Sequence, residues 1–466
     1  MKIEWKPKTK LDRAGVKVVK LFNDAGFQVF WVGGVVRNML LKLPSEDLDI
    51  ATDALPEQTE KILAKAKIKT KAVGKKFGTI LAIVDKFPIE ITTFRSEGDY
   101  QDKRHPDQVR FIKDYLQDAK RRDFTVNALY FNPIEKFLYD PTGGKDDLRR
   151  GLLRLVGNPK QRIDEDALRM LRGVRLSLEL GMRLEDSSFA AMKTRVKFIQ
   201  EISGERVKAE LDKILAHKKR SEGLRLLDSM GLLQYIVPEF EKLKRTEHKA
   251  GNFHLEGSIF NHIMKAVEIL QTDDLDVVYA VLFHDLGKVI RPIQIPDANA
   301  KGWRWSFRGH VELSGQLFAK FADKYRFSRQ SKKRVLDLIA RHEDRIRFRK
   351  MPQNWQIQYL LNLTETAALL EVWRVDSGAN LRMEKGKKVW GQTVSATMAR
   401  KLLAKIERAQ KYFKLADGKL IMMYSNLKPG TQVGKKIMEV KTEIVLGKIK
   451  SKRDLKKFLQ QSVKST

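Results

Sequence analysis

The chain of 466 residues carries 91 Lys and Arg against 58 Asp and Glu, a formal charge of +33, and contains no cysteine. This excess of positive charge indicates a polyanionic partner, because nucleic-acid binding is driven by phosphate neutralisation and counterion release. A membrane surface is the competing polyanion, but no stretch has the apolar length of a transmembrane helix or the apolar core of a signal peptide. Without cysteine, disulfides and thiolate sites are excluded, and we expect a cytoplasmic protein.

The first third of the chain alternates predicted helices and strands. Apolar residues at helical spacing end at Gly26, and FQVFWVGG is then typical of a strand that enters a glycine turn. A helix with Pro56 near its start follows, and then the strand-like or strand-to-helix segments FGTILAIVD, FPIEITTF and RRDFTVNALYF. This pattern predicts an α+β head over residues 1–150, with a small mixed sheet flanked by helices.

The rest of the chain is predicted to be helical. From Asp164 to Glu239 nearly every window has helical periodicity, which predicts an all-α neck over residues 151–245. The polar segment EKLKRTEHKAGNFHLEG separates it from a second helical block, residues 255–380. In residues 381–466 lysines alternate with Ile, Leu, Val and Met at near-helical spacing, so we predict a folded basic tail rather than a solvated charge run.

The first motif with chemical content follows the first predicted strand, in WVGGVVRNMLLKLPSEDLDIAT. Asp47 and Asp49 are two residues apart, so on an extended strand they point to one face and can share divalent metal ions. Gly33 and Gly34 allow a backbone turn to approach phosphate oxygens, and Arg37 can add charge-assisted hydrogen bonds. The ordinary alternative is a glycine turn before an acidic surface loop. The Gly-Gly context after a hydrophobic strand favours a nucleotide site instead.

GGVVRN and EDLDIAT resemble the nucleotidyltransferase signature of class II CCA-adding enzymes and bacterial poly(A) polymerases, members of the polymerase β superfamily. IEITTFRSEGDYQDKRHPDQV, RRDFTVNALYFNP, YDPTGGKDDL and RIDEDALRMLRGVRL follow in family order. The resemblance implies two Mg²⁺ ions at Asp47 and Asp49, with tRNA, CTP and ATP as partners. It also implies nucleotide selection and RNA binding by the neck and tRNA binding by the basic tail. Glu90 lies in a neighbouring strand-like segment and is a candidate third carboxylate. The family usually has Asp where this chain has Asn38, which predicts the loss of a local ion pair.

Two further segments are assigned roles by this resemblance. The segment RRDFTVNAL is similar to the motif that orders the nucleotide sugar and triphosphate, which assigns Arg121, Arg122, Asp123 and Asn127. Without the resemblance, these residues would equally suit a basic helix start with Asp123 as its cap. GDYQDKRHPD, from Gly98 to Asp107, resembles the flexible loop of the family.

Glu165, Asp166 and Arg169 fall on a predicted helix, where a spacing of three places Asp166 and Arg169 on one face. The ordinary interpretation is a helix-surface ion pair. In class II CCA-adding enzymes the matching Asp and Arg bind the Watson–Crick edge of the incoming nucleotide without a template. A carboxylate accepts from the amino group of C or A and a guanidinium donates to their ring acceptor, whereas U and G do not fit. We include Arg172 among these nucleotide-binding residues.

The second helical block contains adjacent His284 and Asp285 in AVLFHDLGKV. A lone histidine here is more often a satisfied helix residue, but this pair resembles the HD phosphohydrolase signature, in which imidazole and carboxylate bind a divalent metal that activates water. The resemblance implies a site for Mg²⁺ or for a transition metal such as Ni²⁺, Mn²⁺ or Co²⁺. Its further candidate ligands are His262, His310 and Asp376. His342, in LIARHEDRI, is a further candidate for this site, but a surface helix histidine is the preferred interpretation.

The sequence therefore predicts template-independent addition of CCA to the 3′ end of tRNA, with release of pyrophosphate. A phosphatase or 2′,3′-cyclic phosphodiesterase activity of the HD block is left open. The alternatives are a poly(A) polymerase, which Gly78, Thr79 and the HD block disfavour, and a partial enzyme that adds only CC or only A. An HD phosphohydrolase with a non-catalytic RNA-binding head, or a non-enzymatic RNA-binding protein, is disfavoured by the ordered motifs. The oligomeric state is left open.

Overall fold

A computed structural model describes residues 1–97, 109–247, 254–290, 292–296 and 303–463, so the predicted loop Gly98–Asp107 lies outside the described residues. The chain divides into two compact units, Met1–Val237 and Pro238–Thr466. The strands of the first unit are β1 Val29–Val32, β2 Leu48–Thr52, β3 Lys69–Gly74, β4 Thr79–Val84, β5 Phe87–Thr93, β6 Arg95–Glu97, β7 Val109–Phe111, β8 Tyr130–Asn132, β9 Phe137–Tyr139, β10 Leu152–Leu153 and β11 Arg183–Leu184. Its helices are α1 Lys10–Asp24, α2 Gly34–Leu41, α3 Pro56–Lys65, α4 Tyr115–Lys120, α5 Gly144–Arg150, α6 Pro159–Glu165, α7 Arg169–Leu180, α8 Asp186–Arg195, α9 Gly204–Ala216, α10 Arg220–Met230 and α11 Leu233–Ile236.

The first unit is built on a seven-stranded sheet in the order β3-β4-β5-β2-β1-β8-β9. Strand β2 pairs antiparallel with β1 and parallel with β5, so the predicted mixed sheet is confirmed. All four residues of β1 are buried, and α1 buries Ala14, Val18 and Phe22 in the core. Thr9 caps α1, since its hydroxyl accepts from the backbone of Asp12 while that carboxylate accepts in return.

Helices α6 to α11 form the predicted neck region of the same unit. Helices α7 and α10 end at Gly181 and Gly231, which have φ of +64° and +83°. A left-handed residue at this position closes a helix, and glycine adopts it without a Cβ clash. The glycine positions in the sequence therefore predicted these helix ends correctly.

The second unit is almost entirely helical. Its helices are α12 Glu239–Arg245, α13 Ile259–Glu268, α14 Leu275–Phe283, α15 His310–Lys324, α16 Arg329–Arg341, α17 Asp344–Lys350, α18 Gln353–Leu361, α19 Thr366–Gly378, α20 Val394–Ala409, α21 Gly418–Ser425, α22 Thr431–Val445 and α23 Lys452–Val463. Two short antiparallel pairs, which the sequence did not predict, are β12 Ile293–Pro296 with β13 Trp303–Ser306, and β14 Leu381–Glu384 with β15 Lys387–Trp390. Helix α12, which we had placed in the neck, belongs to this unit. The four domain boundaries stay predictions.

The basic tail is folded onto the rest of the second unit. Helix α20 packs against α17, α18 and α19, and α22 packs against α18 and α20. The Ser395 hydroxyl in α20 donates to the carbonyl of Arg345 in α17 at 2.9 Å. The predicted helical character of the tail is therefore confirmed. In the part of the chain that the structure describes, no helix has the length and apolar content that crossing a membrane requires.

Candidate active sites

Three carboxylates of the head lie on, or directly before, two neighbouring strands of the sheet. In the parallel pairing of β2 and β5, Asp49 is the register partner of Glu90, and Asp47 lies just before β2. Leu48 and Ile50, which alternate with Asp49, are buried, whereas the three acidic residues are exposed. Strand alternation therefore turns the carboxylates away from the core, as the spacing predicted.

The electrostatics of these carboxylates favour a bound cation. Surrounding protein atoms desolvate the Asp49 carboxylate, although solvent still reaches the residue, and Glu90 adds repulsion, so the pKa of Asp49 is raised to about 6. Arg122 offsets part of this shift. A divalent cation relieves such repulsion, and an all-oxygen donor set suits Mg²⁺. Asp47, Asp49 and Glu90 therefore fit the predicted metal.

The glycine turn lies directly against this site. Gly33 has φ of +72° and precedes α2, and a Cβ built on it would lie 3.5 Å from Asp49 Oδ2 and 3.7 Å from Arg122 Nη1. Glycine adopts this backbone conformation without strain. Gly34 is the first residue of α2, and the N–H groups at a helix N-terminus are suited to phosphate oxygens. Both glycines are therefore placed as the sequence predicted.

Arg37 is held by two amide side chains. Its buried guanidinium donates from Nη1 to Asn127 Oδ1 at 2.6 Å, and from Nε and Nη2 to Asn38 Oδ1 at 3.1 and 2.9 Å. These hydrogen bonds tie α2 to the Thr125–Asn127 turn, and the contact of Arg37 with phosphate stays a prediction. Asn38 replaces the ion pair usual in the family by hydrogen bonds, and its Nδ2 donates to the Pro44 carbonyl at 3.0 Å.

Arg121 and Arg122 are held by a buried carboxylate that the sequence did not reveal. Asp118 accepts from Arg121 Nε at 2.7 Å, from Arg122 Nη2 at 3.2 Å and from the Tyr130 hydroxyl at 2.6 Å. Burial opposes the charge on Asp118, but the arginines and Tyr130 outweigh it and lower its pKa to about 2. Arg122 Nε also donates to Tyr130, which braces its side chain beside Asp49.

Asp123 is an ion-pair partner and not a helix cap. Its carboxylate accepts from Arg172 Nε at 2.9 Å and from Asn127 Nδ2 at 3.1 Å, and Arg172 Nη2 lies 2.6 Å away. Burial opposes ionisation, but Arg172 and these hydrogen bonds lower the pKa of Asp123 to about 2. Arg172 in α7 is thereby joined to the motif before β8. The structure thus brings Arg172, which the sequence had assigned with Asp166 and Arg169, together with Asp123 and Asn127 of the RRDFTVNAL motif.

The prediction that Asp166 and Arg169 share one helix was wrong. Helix α6 ends at Glu165, Asp166 is extended with φ of −148°, and α7 begins at Arg169. Asp166 Oδ1 accepts from the Leu168 N–H at 3.1 Å, a local hydrogen bond that competes with helix formation. The two side chains therefore have separate partners. Asp166 Oδ2 accepts from Arg206 Nη2 at 2.8 Å, and Arg169 Nη1 donates to Glu165 Oε2 at 2.9 Å.

In the second unit, Asp285 lies between two pairs of histidines. Its Oδ2 is 3.4 Å from His284 Nε2 and 3.8 Å from His262 Nε2, and its Oδ1 is 3.4 Å from His310 Nε2 and 3.7 Å from His342 Nε2. All five residues are buried. They form two groups with metal-ligand spacing that share Asp285, the first with His262 and His284, the second with His310 and His342.

Asp376 completes the first of these groups. Its Oδ1 lies 3.5 Å from His262 Nε2 and 3.9 Å from His284 Nε2. Two cations hold the carboxylates from outside: Lys288 Nζ lies 2.6 Å from Asp285 Oδ2, and Arg345 Nε donates to Asp376 Oδ2 at 2.6 Å. The candidate residues His262, His284, Asp285, His310 and Asp376 are therefore all brought together.

Three of the histidines are oriented by backbone carbonyls. Nδ1 of His284, His310 and His342 lies 2.7, 2.9 and 2.7 Å from the carbonyl oxygens of Val281, Phe307 and Ile339. A neutral imidazole that donates from Nδ1 turns the lone pair of Nε2 toward the cluster. This second contact is the one that metal-binding histidines typically make.

The prediction that His342 is a surface residue was wrong. The residue is 2% exposed, and its Nε2 is 3.4 Å from that of His310. Burial, together with nearby His284, lowers the pKa of His342 to about 3, so it remains neutral as a metal ligand must. The missed signal was helical spacing: Val335, Leu338 and Ile339 are buried, and His342 continues that stripe.

Three family models match the chain in order. They are the "Poly A polymerase head domain" over residues 29–154, the "Probable RNA and SrmB- binding site of polymerase A" over 181–244, and the "HD domain" over 257–372. The CCA-adding enzyme of Enterococcus faecalis is 29% identical over 438 residues, covering 94% of this chain and 93% of that protein. That of Staphylococcus epidermidis is 35% identical over 254 residues, covering 54% and 61%. The chain is therefore similar to CCA-adding enzymes over nearly its whole length.

Solved structures of CCA-adding enzymes share the fold. The Bacillus stearothermophilus enzyme in complex with CTP matches with a TM-score of 0.69 at 23% identity, covering 98% of this chain and 99% of that one. The Thermotoga maritima enzyme complexed with tRNA matches with a TM-score of 0.66 at 16% identity, covering 98% and 96%. The predicted fold class, a mixed-sheet head followed by helical regions, is thereby confirmed.

Sequence reasoning missed several residues that hold the family motifs in place. Asp118 and Tyr130 lie on either side of the arginine pair in the sequence, and Arg206 belongs to a later helix. Arg345, three residues after His342, was also missed. These contacts join segments whose approach no local pattern reports.

Proposed function

We propose that this protein adds CCA to the 3′ end of tRNA from CTP and ATP and releases pyrophosphate. The single observation that carries the proposal is the pairing of β2 with β5, which places Asp49 beside Glu90 and close to Asp47. Three carboxylates on or beside two neighbouring strands, next to a glycine turn, support a site for metal-bound triphosphate. The relatives named above are CCA-adding enzymes across both units of the chain.

The residues of the head have distinct tasks in this reaction. The oxygen of the RNA 3′-hydroxyl bonds to the α-phosphorus, the bond to pyrophosphate breaks, and the hydroxyl proton leaves. Two Mg²⁺ ions, held by Asp47, Asp49 and Glu90, would activate the hydroxyl and neutralise the triphosphate. The N–H groups at Gly33 and Gly34 bind phosphate oxygens. Arg122, already fixed by Asp118 and Tyr130, adds positive charge beside Asp49 without moving.

Asp166 and Arg169 select the base in this proposal. Because Arg206 holds Asp166 and Glu165 holds Arg169, each side chain is fixed before the nucleotide arrives. A carboxylate acceptor and a guanidinium donor in fixed positions match the edges of C and A and leave those of U and G unpaired. Unpaired polar groups in a closed site are costly, which provides the discrimination.

The test uses tRNA that lacks CCA, CA or A, incubated with the protein and one labelled nucleotide at a time. A CCA-adding enzyme extends the first two with CTP and the third with ATP, and it stops at the complete end. Extension with ATP alone into long products would identify a poly(A) polymerase, and failure on one substrate would identify a partial enzyme. Since tRNA and nucleotides are its substrates, we also propose a cytoplasmic location.

A second activity is favoured by the cluster around Asp285. We propose that this cluster binds two divalent metal ions and hydrolyses phosphate esters, because each carboxylate oxygen faces its own pair of imidazoles. Mixed nitrogen and oxygen ligands suit Mn²⁺, Co²⁺ or Ni²⁺ better than Mg²⁺. Elemental analysis of the purified protein and assays on 2′,3′-cyclic and terminal phosphates test it. No bound metal and no hydrolysis with any of these ions would leave the cluster a structural one.

A further inference from the structure

A basic cavity lies beside the histidine cluster of the second unit. It has a volume of 450 Å³, and its charged lining residues are Arg345, Arg349, Lys350 and Arg382, with no Asp or Glu in the lining. Arg349 and Lys350 are exposed and form no ion pair with a carboxylate among the described residues. Arg382 pairs with Glu384 through Nη2. Arg345 and Arg382 are thus paired with carboxylates, whereas Arg349 and Lys350 give the cavity positive charge that no described carboxylate neutralises.

The cavity shares its wall with the metal-ligating residues. Arg345 lines it and donates to Asp376 Oδ2 at 2.6 Å. His254 also lines it, and its ring centroid is 6.2 Å from that of His262. An anion in the cavity would therefore be a near neighbour of a group bound at the cluster.

Two polar atoms at the cavity lack partners in a way that fits a nucleotide. Arg382 Nε and Asn380 Oδ1 are buried and make no hydrogen bond among the described residues. A buried donor or acceptor without a partner is destabilising, so a ligand or a water molecule that reached either atom would stabilise it. The guanidinium donor suits a phosphate oxygen, and the amide oxygen can accept only from a donor such as a ribose hydroxyl.

We propose that this cavity binds a second phosphate of the substrate that the histidine cluster hydrolyses. The proposal rests on the hydrolase activity proposed above and concerns that activity on an RNA end with a 2′,3′-cyclic phosphate, for which the cavity would be the site of a second phosphate. The cyclic phosphate lies at the cluster and the preceding internucleotide phosphate lies in the cavity. Water oxygen bonds to phosphorus, the ester bond to the 2′-oxygen breaks, and that oxygen takes a proton. A mononucleotide with only the cyclic phosphate leaves the cavity empty.

The experiment compares three substrates of the manganese-loaded full chain by kcat/KM. They are 2′,3′-cyclic AMP, the same nucleotide with an added 5′-phosphate, and cytidylyl-adenosine 2′,3′-cyclic phosphate. The two substrates with a second phosphate should be favoured by about tenfold, as expected for one charge-assisted hydrogen bond. The double variant Arg349→Ala, Lys350→Ala should lose this preference. Arg347→Ala, an exposed change on the same helix outside the cavity, is the matched control and should retain it.

Binding provides a readout that does not depend on the metal. Calorimetric titration of the metal-free chain with 3′-phosphorylated cytidylyl-adenosine should give a Kd about tenfold weaker in the double variant and unchanged in Arg347→Ala. Absence of hydrolysis of all three substrates would refute the hydrolase proposal. Hydrolysis without preference for a second phosphate, or a preference and Kd that the double variant keeps, would overturn the cavity assignment alone.

Discussion

The two clusters of candidate metal ligands differ in how much solvent reaches them. The head carboxylates Asp47, Asp49 and Glu90 are exposed, whereas the cluster around Asp285 is buried, with its four histidines between 0 and 7% exposed. An open carboxylate site suits Mg²⁺, which keeps several waters and binds together with substrate phosphates. A buried imidazole-rich site suits a transition metal that remains bound between turnovers. The candidate head site therefore suits an exchanging metal ion, and the buried cluster suits a retained one.

The clusters also differ in what orients their ligands. In the head, strand register places Asp49 beside Glu90, so the backbone pairing itself builds the site. In the second unit, helix ends place the histidines, and carbonyl contacts to Nδ1 of His284, His310 and His342 fix their rings. The head should therefore tolerate loss of its metal without structural change, while the second cluster should depend on its ligands to keep its metal.

The largest expected effect separates the two sites completely. The double variant Asp47→Ala, Asp49→Ala should lower CCA addition by at least about a thousandfold, because metal stabilisation of the transition state is worth several kcal/mol. Hydrolysis of cyclic phosphates should be unchanged, since no ligand of that cluster is altered. Primer extension and phosphate release are measured on one preparation.

Asp85→Ala is the matched control for this double variant, since Asp85 is an exposed head residue whose ion pair among the described residues is with Lys17. Its CCA addition should equal that of the unaltered protein. Retention of CCA addition within about tenfold by the double variant would falsify the metal assignment.

The second prediction concerns the buried cluster. His342→Ala removes one of two imidazoles that face Asp285 Oδ1, so metal content should fall from two ions per chain toward one, with loss of hydrolysis. Metal affinity at that position should weaken by at least about tenfold. Elemental analysis after dialysis measures the content. The control is His217→Ala, which changes a histidine outside the cluster and should keep both ions. If His342→Ala also keeps both ions, His342 has only a structural role.

Much of the fold and of the head site could be predicted because local pattern carries it. The strand before Gly33, the i, i+2 spacing of Asp47 and Asp49, and the adjacent His284 and Asp285 are all short-range features. The contacts of Arg37 could not be predicted, because it meets Asn127 across 90 residues and uses donors that the motif assigned to phosphate.

The prediction of one continuous helix around Asp166 was wrong for a related reason. Apolar periodicity continues across Glu165 and Arg169, so the sequence shows no boundary there. The break depends on the Asp166 side chain accepting from the Leu168 N–H and pairing with Arg206, 40 residues away. Tertiary contacts therefore override local helical preference at this candidate base-selecting position.

Nucleotide choice should change by an intermediate amount. The double variant Asp166→Ala, Arg169→Ala should reduce discrimination against UTP and GTP by one to two orders of magnitude, because a good bidentate base contact is worth about 1 to 3 kcal/mol. The measurement is kcat/KM for all four nucleotides on tRNA that lacks CCA. The matched control is the double variant Arg183→Ala, Asp186→Ala, which removes an exposed ion pair. Equal slowing for every nucleotide would place base selection elsewhere.

The basic tail should contribute a smaller, salt-dependent effect. Arg453, Lys456 and Lys457 line a groove with Tyr424 on α21 and α23. Replacing all three by Ala should reduce the slope of log affinity for tRNA against log salt by about 2, since each phosphate contact contributes about 0.7 to 0.9. Point changes are preferable to truncation, because removal of α20 would uncover helices that it packs against.

The exchange of Arg453→Lys, Lys456→Arg and Lys457→Arg preserves charge and is the control for the tail. Its slope should match that of the unaltered protein. An unchanged slope in the alanine variant would mean that the groove faces solvent and not RNA.

The smallest effect comes from a carboxylate whose environment is the opposite of that of Asp49. Glu185 caps α8, where it accepts from the backbone N–H of Ser187 at 3.1 Å and of Ser188 at 2.8 Å, and from both hydroxyls. Burial opposes the charge, but these hydrogen bonds lower the pKa of Glu185 from 4.5 to about 2. A lowered pKa in the folded state stabilises the fold above the unfolded value, and this contribution declines as pH falls from 4.5 toward 2.

Glu185→Gln should therefore reduce the free energy of unfolding by about 1 kcal/mol at pH 7, the usual value of a cap. The difference between the two proteins should shrink as pH is lowered below the unfolded pKa, because the glutamate takes up a proton and loses its advantage over the amide. Thermal unfolding of both proteins at neutral and acidic pH gives the measurement. A difference that stays constant with pH would mean that the hydrogen bonds depend on shape alone. The comparison with Asp49, whose pKa is raised where that of Glu185 is lowered, would then have no electrostatic basis.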